Sequence, residues 1–330
     1  MLALAKRLGS FVPYIGGPQH SALLVPLLEA LCNSEDTSVR TAAAISTSKV
    51  LSLIEPSLHA TSVLVYFELY KRLACEDTGE VFYGRMSACQ MASELYRVLP
   101  DEASRMVFME IFARLCADDL SMVRKAGVNA FLRTSSFASA ALQSGEFLQL
   151  FKTLLNDESQ SVKVAAIEYM APYTLALKKI DAMAVMTTEL LKVIKLATDD
   201  PSWRVRLAIS KTFGTYASVF DPTDVLTELF PAAIHMIQDP EPDVRSQALS
   251  ELLSFLTVIR PDAFFAGFIP IAVQLIEDPI SGIRKILAEI CIDASAIVGP
   301  DLTTQHLVGL SIYLNIKLCV CVFLFFFLPY

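Results

Sequence analysis

One phrase returns along most of this chain: an acidic pair, a short polar link, then Val-Arg opening an alanine-rich stretch. It reads Glu35-Asp36-Thr37-Ser38-Val39-Arg40, Asp118-Asp119-Leu120-Ser121-Met122-Val123-Arg124 and Asp157-Glu158-Ser159-Gln160-Ser161-Val162-Lys163. It recurs as Asp199-Asp200-Pro201-Ser202-Trp203-Arg204-Val205-Arg206, Asp239-Pro240-Glu241-Pro242-Asp243-Val244-Arg245 and Asp278-Pro279-Ile280-Ser281-Gly282-Ile283-Arg284. A stretched, degenerate copy runs from Glu76 to Arg85. The basic residues fall at 40, 85, 124, 163, 206, 245 and 284, in steps of 45, 39, 39, 43, 39 and 39. Each phrase stands between two apolar stretches of helical period, such as Phe268 to Ile276 upstream, and Val205, Ala208, Ile209, Phe213 and Tyr216 downstream. Acids followed by Ser or Pro suit a helix N-terminus, where exposed amides and the helix dipole favour carboxylates. Pro26, Pro231 and Pro270 recur midway in the first helices and are expected to kink them.

Two helices in about 39 residues, stacked on like neighbours, define an all-α solenoid, and the period and content match HEAT repeats. A lone second helix is expected at about 2–15. Full repeats follow at roughly 18–55, 58–98, 101–138, 142–178, 181–219, 222–259 and 262–298, and a new first helix begins near Asp301. The solenoid therefore covers 1–308, and 309–330 is an apolar tail outside the repeat. With 54% apolar residues, the 330-residue chain has ample material for a core and is no disordered segment. Its net charge of −8 argues against nucleic acid as the main partner. Seven cysteines, odd in number and mostly within apolar helical patterns, read as the reduced inventory of a cytosolic protein.

No catalytic constellation emerges, and the chain reads as a non-enzyme with no cofactor and no metal. His20, His59, His235 and His306 stand alone, and Cys319-x-Cys321 is too tight for an ordinary zinc site. Phosphate-binding loops and nucleophile elbows are missing from the sequence. Paired carboxylates occur once per repeat, which suits helix capping better than catalysis. The links instead form a ridge of acidic pairs beside a ladder of Arg40, Arg124, Lys163, Arg206, Arg245 and Arg284. The simplest role for that ladder is bonding to Asp or Glu of neighbouring repeats. Links also carry function, because their side chains need not serve the core. Trp203, the single tryptophan, lies on a link beside Arg204. It reads equally as an interface anchor and as an inter-repeat packing residue.

Several phrases together resemble the scaffolding (A, 65-kilodalton) subunits of protein phosphatase 2A. They are Leu8-Gly9-Ser10-Phe11 with Gly16-Gly17-Pro18, Arg85-Met86-Ser87-Ala88-Cys89, and Leu115-Cys116-Ala117-Asp118-Asp119 with Met122-Val123-Arg124-Lys125. Ser202-Trp203-Arg204-Val205-Arg206 follows, and Gly299-Pro300-Asp301 leading to His306-Leu307 resembles the start of the family's tenth repeat. The resemblance runs from residue 2 to about 308. It implies a HEAT-repeat horseshoe without catalysis, whose amino-terminal link ridge binds exchangeable regulatory (B-type) subunits and whose carboxy-terminal repeats hold the catalytic subunit. Carried over position by position, the regulatory contacts would be Glu35, Asp36, Arg40, Asp119, Met122, Arg124, Lys125, Trp203 and Arg204. The chain departs from the family at Ser121, where a proline is usual, and in the 76–85 link, which is longer and lacks a tryptophan. It also stops before the repeats that would hold a catalytic subunit, so weak or absent binding of that subunit is expected. The other functional classes open to the sequence are a different HEAT adaptor, such as a phosphatase 4 regulatory subunit or a transport receptor, and a tail-anchored membrane protein. The resemblance implies a cytoplasmic protein with access to the nucleus.

Three readings compete for Leu307 to Tyr330. A membrane anchor is long enough, since about 20 apolar residues span the hydrocarbon core, but Lys317 near its middle opposes insertion by roughly 2.5–3.5 kcal/mol. A genuine tenth repeat would continue into an acidic link, whereas Cys319-Val320-Cys321-Val322-Phe323-Leu324 shows no polar face. A translated intron or out-of-frame segment fits the abrupt change best. Residues from about 311 onward are therefore expected not to pack as a HEAT helix pair.

Overall fold

A computed structural model describes residues 1–75, 82–181, 189–310 and 312. The described residues are helical and contain no strand. They divide into two compact units, Met1–Tyr169 and Met170–Tyr330. In the first unit, α1 (Leu2–Leu8) precedes a pair made of α2 (Val25–Cys32) and α3 (Thr37–Leu53). Then come α4 (Ala60–Leu73) with α5 (Tyr83–Val98), and α6 (Glu102–Cys116) with α7 (Ser121–Ser136). The fourth pair is built from α8 (Ala140–Ser144) and α9 (Glu146–Leu155), followed by α10 (Gln160–Lys179), within which the division between the units falls. The second unit continues with α11 (Leu191–Thr198) against α12 (Trp203–Ser210) and α13 (Phe213–Val219). Next are α14 (Phe230–Met236) with α15 (Pro242–Glu251) and α16 (Leu253–Leu256), then α17 (Pro261–Leu275) with α18 (Ser281–Val298).

Second helices are rich in alanine where, as for α3 and α5 of the first unit, each lies between two other second helices and its own first helix. On α5, Ala88, Cys89, Met91, Ala92, Leu95 and Tyr96 are all buried, so its apolar residues run round the helix rather than along one stripe. First helices carry the aromatic bulk. Phe108 on α6 stacks on Tyr70 of α4 at 5.0 Å and lies 5.2 Å from Tyr96 of α5. In the second unit, Phe230 lies 5.5 Å from Phe255 and 5.6 Å from Phe264, joining successive pairs.

One local expectation is corrected. The segment 2–15 is not one helix: α1 ends at Leu8, and a separate 3-10 turn spans Val12–Ile15. Gly16 and Gly17 follow with φ of 97° and 103°, left-handed values that only glycine adopts without strain, so the chain reverses there before Pro18. The prolines act unequally. Pro26 and Pro231 lie where a continuous helical run changes type, from a 3-10 segment (Pro18–Leu24) into α2 and from a π segment (Val225–Leu229) into α14. Pro270, in contrast, stays inside α17 without ending it. Of the tail, residues 311 and 313–330 lie outside the described residues, as do Glu76 to Val81 of the stretched link.

Gly9 marks the tightest helix approach at the start of the stack. A Cβ there would stand 2.7 Å from the Ser46 carbonyl oxygen and 2.9 Å from its Cα, both backbone atoms of α3. Beside it, the Ser46 hydroxyl donates to the Ala5 carbonyl. Gly9→Ala is expected to destabilise the first unit by about 1–3 kcal/mol through overpacking. Thermal melts of the variant check this, and an unchanged melting temperature would contradict it.

Candidate functional site

The links are built from two residue types with fixed duties. In five links, one aspartate folds its carboxylate back onto the amide two residues on. Asp118 accepts from Leu120 at 2.9 Å, Asp157 from Ser159 at 2.7 Å, Asp200 from Ser202 at 2.8 Å, Asp239 from Glu241 at 2.8 Å and Asp278 from Ile280 at 2.8 Å. This is an Asx turn before the helix rather than a cap on it. Asp36 is a true N-cap, accepting from Ser38 and Val39 at 2.7 and 3.3 Å.

The arginine six residues further on ties its own link down and reaches to the next. Arg124 donates to the Asp118 carbonyl at 2.7 Å, Arg206 to that of Asp200 at 2.8 Å, Arg245 to that of Asp239 at 2.8 Å and Arg284 to that of Asp278 at 2.6 Å. The other edge of the guanidinium grips a carboxylate one repeat on. The pairs are Arg85–Asp118 at 2.7 Å and Arg124–Asp157 at 2.7 Å in the first unit. In the second they are Arg206–Asp239 at 2.6 Å and Arg245–Asp278 at 3.0 Å. All four are bidentate, the geometry in which a guanidinium fork matches a carboxylate. The ladder read from the sequence is thus real at Arg124, Arg206 and Arg245, Arg85 extends it, and Lys163 is engaged as well.

Arg40 is held within its own link, and the acids of the next link, Glu76 and Asp77, lie outside the described residues. It donates to the carbonyls of Ser34 and Glu35, both at 2.8 Å, and to the Thr37 hydroxyl at 3.0 Å. Its guanidinium lies 4.5 Å from the centre of the Tyr83 ring, and no carboxylate of the described residues pairs with it. The following step is 45 residues rather than 39, so Leu73 stands where the other repeats place aspartate. The Tyr83 ring lends Arg40 a cation–π contact.

Asp239 shows the electrostatics of the ladder. Burial pushes its carboxyl up, but the Arg206 guanidinium and the Glu241 amide outweigh burial and hold it below the ordinary aspartate value. A carboxyl lowered on folding stabilises above its unfolded pKa of about 3.9 and loses that stability as pH falls through the lower folded value. The second unit is therefore expected to weaken in acid below about pH 4, with Asp239→Asn flattening that limb. Denaturant midpoints across pH 2–7 (roughly the range in which carboxylates titrate) check the sign; stability rising in acid would contradict it.

The family-implied positions separate by this geometry. Arg40 and Arg124 are 6% and 8% exposed and are occupied inside the chain. Glu35, Asp36, Asp119, Met122, Lys125 and Arg204 are exposed, and Trp203 is half-buried at the start of α12. The Arg204 guanidinium lies 4.7 Å from the Trp203 ring centre, a cation–π contact on the half-buried indole. Asp119, Met122 and Lys125 share one link of the first unit, while Glu35 and Asp36 occupy the link two repeats earlier. Ile45 and Met86, exposed or half-exposed on second helices, escaped sequence reading because they fall within ordinary helical apolar patterns.

Among the described residues, no cluster could hold a metal ion, and no helix is long and apolar enough to cross a membrane. Cys32, Cys89, Cys116 and Cys291 are buried thiols outside any disulfide. Burial pushes the Cys32 thiol up to about 11 and that of Cys291 to about 12, so both are poor nucleophiles at neutral pH.

Stacked helix pairs with bonded links define an α-solenoid of HEAT repeats. Within that class, the chain is a HEAT-repeat protein similar to the A-type regulatory subunits of protein phosphatase 2A. It is 29% identical over 227 residues to the A-type regulatory subunit of protein phosphatase PP2A from Schizosaccharomyces pombe, covering 68% of this chain and 37% of that protein. The protein of the same name in Saccharomyces cerevisiae is 31% identical over 226 residues, covering 66% of this chain and 34% of that one. In Rattus norvegicus, the beta isoform of the 65 kDa A-type regulatory subunit of serine/threonine-protein phosphatase 2A is 39% identical over 135 residues, 39% of this chain and 20% of its own length. The chain thus spans about a third of the length of the two yeast relatives. No family model matches it. Among solved structures, the karyopherin Kap121p bound to the SUMO protease Ulp1p superposes with a TM-score of 0.65 at 12% identity, covering 96% of this chain and 35% of that one. Pds5 in its complex with Scc1 gives 0.55 at 11% identity, covering 95% and 56%. At such identity the likeness is one of fold. The relatives are named as regulatory subunits, in keeping with a chain that is not itself an enzyme.

Proposed function

We propose that the chain is a non-catalytic scaffold of a protein phosphatase 2A-type complex and that its links bind regulatory (B-type) subunits. The likeness to the A-type subunits supports the scaffold role. The observation that carries the link surface is the division of labour within each link. Arg124, Arg206 and the aspartates of the Asx turns are consumed in holding links and repeats together, whereas Asp119, Met122, Lys125, Trp203 and Arg204 point to solvent or stand half-buried. Contacts with a partner are therefore assigned to Glu35, Asp36, Asp119, Met122, Lys125, Trp203 and Arg204. Arg40 and Arg124 act by shaping the links that present them. The proposed compartment is the cytoplasm, with access to the nucleus, which suits buried thiols outside any disulfide.

Trp203→Ala is expected to weaken binding of a B-type subunit by about 2 kcal/mol or more, as truncating an aromatic anchor does. The helical circular dichroism should stay unchanged. Lys125→Ala acts through charge, so its effect should shrink as ionic strength rises. Titration calorimetry with a purified B-type subunit measures both; undiminished affinity in Trp203→Ala would refute the link assignment.

A further inference from the structure

The second helices α3, α5 and α7 of the first unit pack side by side and leave an open groove of about 600 Å³ along their exposed faces. Its apolar floor includes Ile45 on α3, Met86 on α5, and Met122 and Ala130 on α7. Ile45 is 63% exposed and Met122 50% exposed. A lone exposed apolar residue means little, but these form a line. Counted from the basic residue of its own repeat, Ile45 stands five positions after Arg40, Met86 one after Arg85, and Met122 two before Arg124. Shifts of four and three residues keep all three on one helix face and displace each by about one turn, roughly 5 Å along the axis. Packed helices lie roughly 8–10 Å apart, so successive side chains on this diagonal are about 10–11 Å apart. Residues seven apart on an α-helix are about 10.5 Å apart. A helix laid along the diagonal would meet Ile45, Met86 and Met122 with every seventh residue.

Charge narrows the occupant. The groove is lined by Lys125 and Arg133 and by no carboxylate, in a chain whose net charge is −8. The nearby Glu94 carboxylate is buried beneath Arg97 and Arg133, which both pair with it. Lys125 has no ion-pair partner among the described residues. The three helices have their backbone bonds satisfied, so no sheet edge is offered to an extended peptide. We infer that this groove seats an amphipathic α-helix of a partner protein, with apolar residues seven apart and carboxylates beside them facing Lys125. This surface consists of helix faces rather than links. Met122 and Lys125 border both, but Ile45 and Met86 belong to the groove alone, so it stands or falls independently of what the links bind.

The probes are three fluorescent helical peptides of about 18 residues, enough to cross three packed helices. Each carries leucine at its second, ninth and sixteenth positions, flanked by Glu, Gln or Lys. Binding to the full chain is read by anisotropy. The Glu peptide is expected to bind at least about tenfold more tightly than the Lys peptide. Ile45→Glu should weaken it at least about tenfold, and Ile45→Ser, which adds no charge, should act in the same direction. Lys125→Glu should reverse the order of the Glu and Lys peptides. Ile297→Glu, at a residue 50% exposed in the second unit, should leave binding unchanged. No binding of the Glu peptide, equal affinity for all three, or indifference to both Ile45 variants would each overturn the proposal.

Discussion

Arg206→Ala is expected to lower the local stability of the second unit by about 3–5 kcal/mol, the loss typical when one member of a buried ion pair is removed. Its guanidinium binds Asp239 through two bonds of 2.6 and 3.0 Å, with side chains 14% and 5% exposed. Removal strands the Asp239 carboxylate in a desolvated place. It also takes away the donor that holds the Asp200 and Pro201 carbonyls. The exposed Lys71–Glu68 pair, at 36% and 57%, serves as the control and should contribute at most about 1 kcal/mol. Removing both charges in Arg206→Met/Asp239→Leu should recover much of the loss, because no unpaired charge remains. Hydrogen exchange is the suitable readout, since repeats interact mainly with their neighbours. Loss of protection should centre on α12 and α15. A change below about 1 kcal/mol would mean that the ladder is ornamental to stability.

Phe108→Ala should destabilise the first unit by about 3–5 kcal/mol. Phe108 is fully buried, with Tyr70, Tyr96 and Phe112 centred 5.0, 5.2 and 5.8 Å away. Its ring thus touches three helices, α4, α5 and α6, and alanine would leave a cavity that neighbouring helices fill only partly. Phe108→Leu should cost markedly less, because most of the volume is kept. Denaturant unfolding of the two variants distinguishes them; equal losses would show that the site collapses freely.

The periodic part of the structure was legible because a repeat states its grammar many times. Each Val-Arg, or its Val-Lys or Ile-Arg equivalent, after an acidic link lies in the first turns of a second helix, starting at Thr37, Ser121, Gln160, Trp203, Pro242 and Ser281. The arginine ladder was legible for the same reason, since a charge recurring inside an alanine-rich helix needs a buried partner. The Asx turns were read as helix caps, because both put an acid before a helix and differ only in which amide it binds. The Tyr83 ring over Arg40 was not legible, because it depends on the longer link that separates the two in sequence. The groove at Ile45 and Met86 could not be read at all. An exposed isoleucine and a buried one look alike in sequence, and the diagonal appears only when three parallel helices are set side by side.

The claim that the chain serves as a phosphatase scaffold is tested most directly by purifying the tagged full chain from cells and quantifying co-purified proteins by mass spectrometry. B-type regulatory subunits of protein phosphatase 2A should be recovered in near-stoichiometric amount with the wild-type chain and be depleted with Trp203→Ala. Recovery of transport cargo or phosphatase 4 components instead, with no B-type subunit, would contradict it.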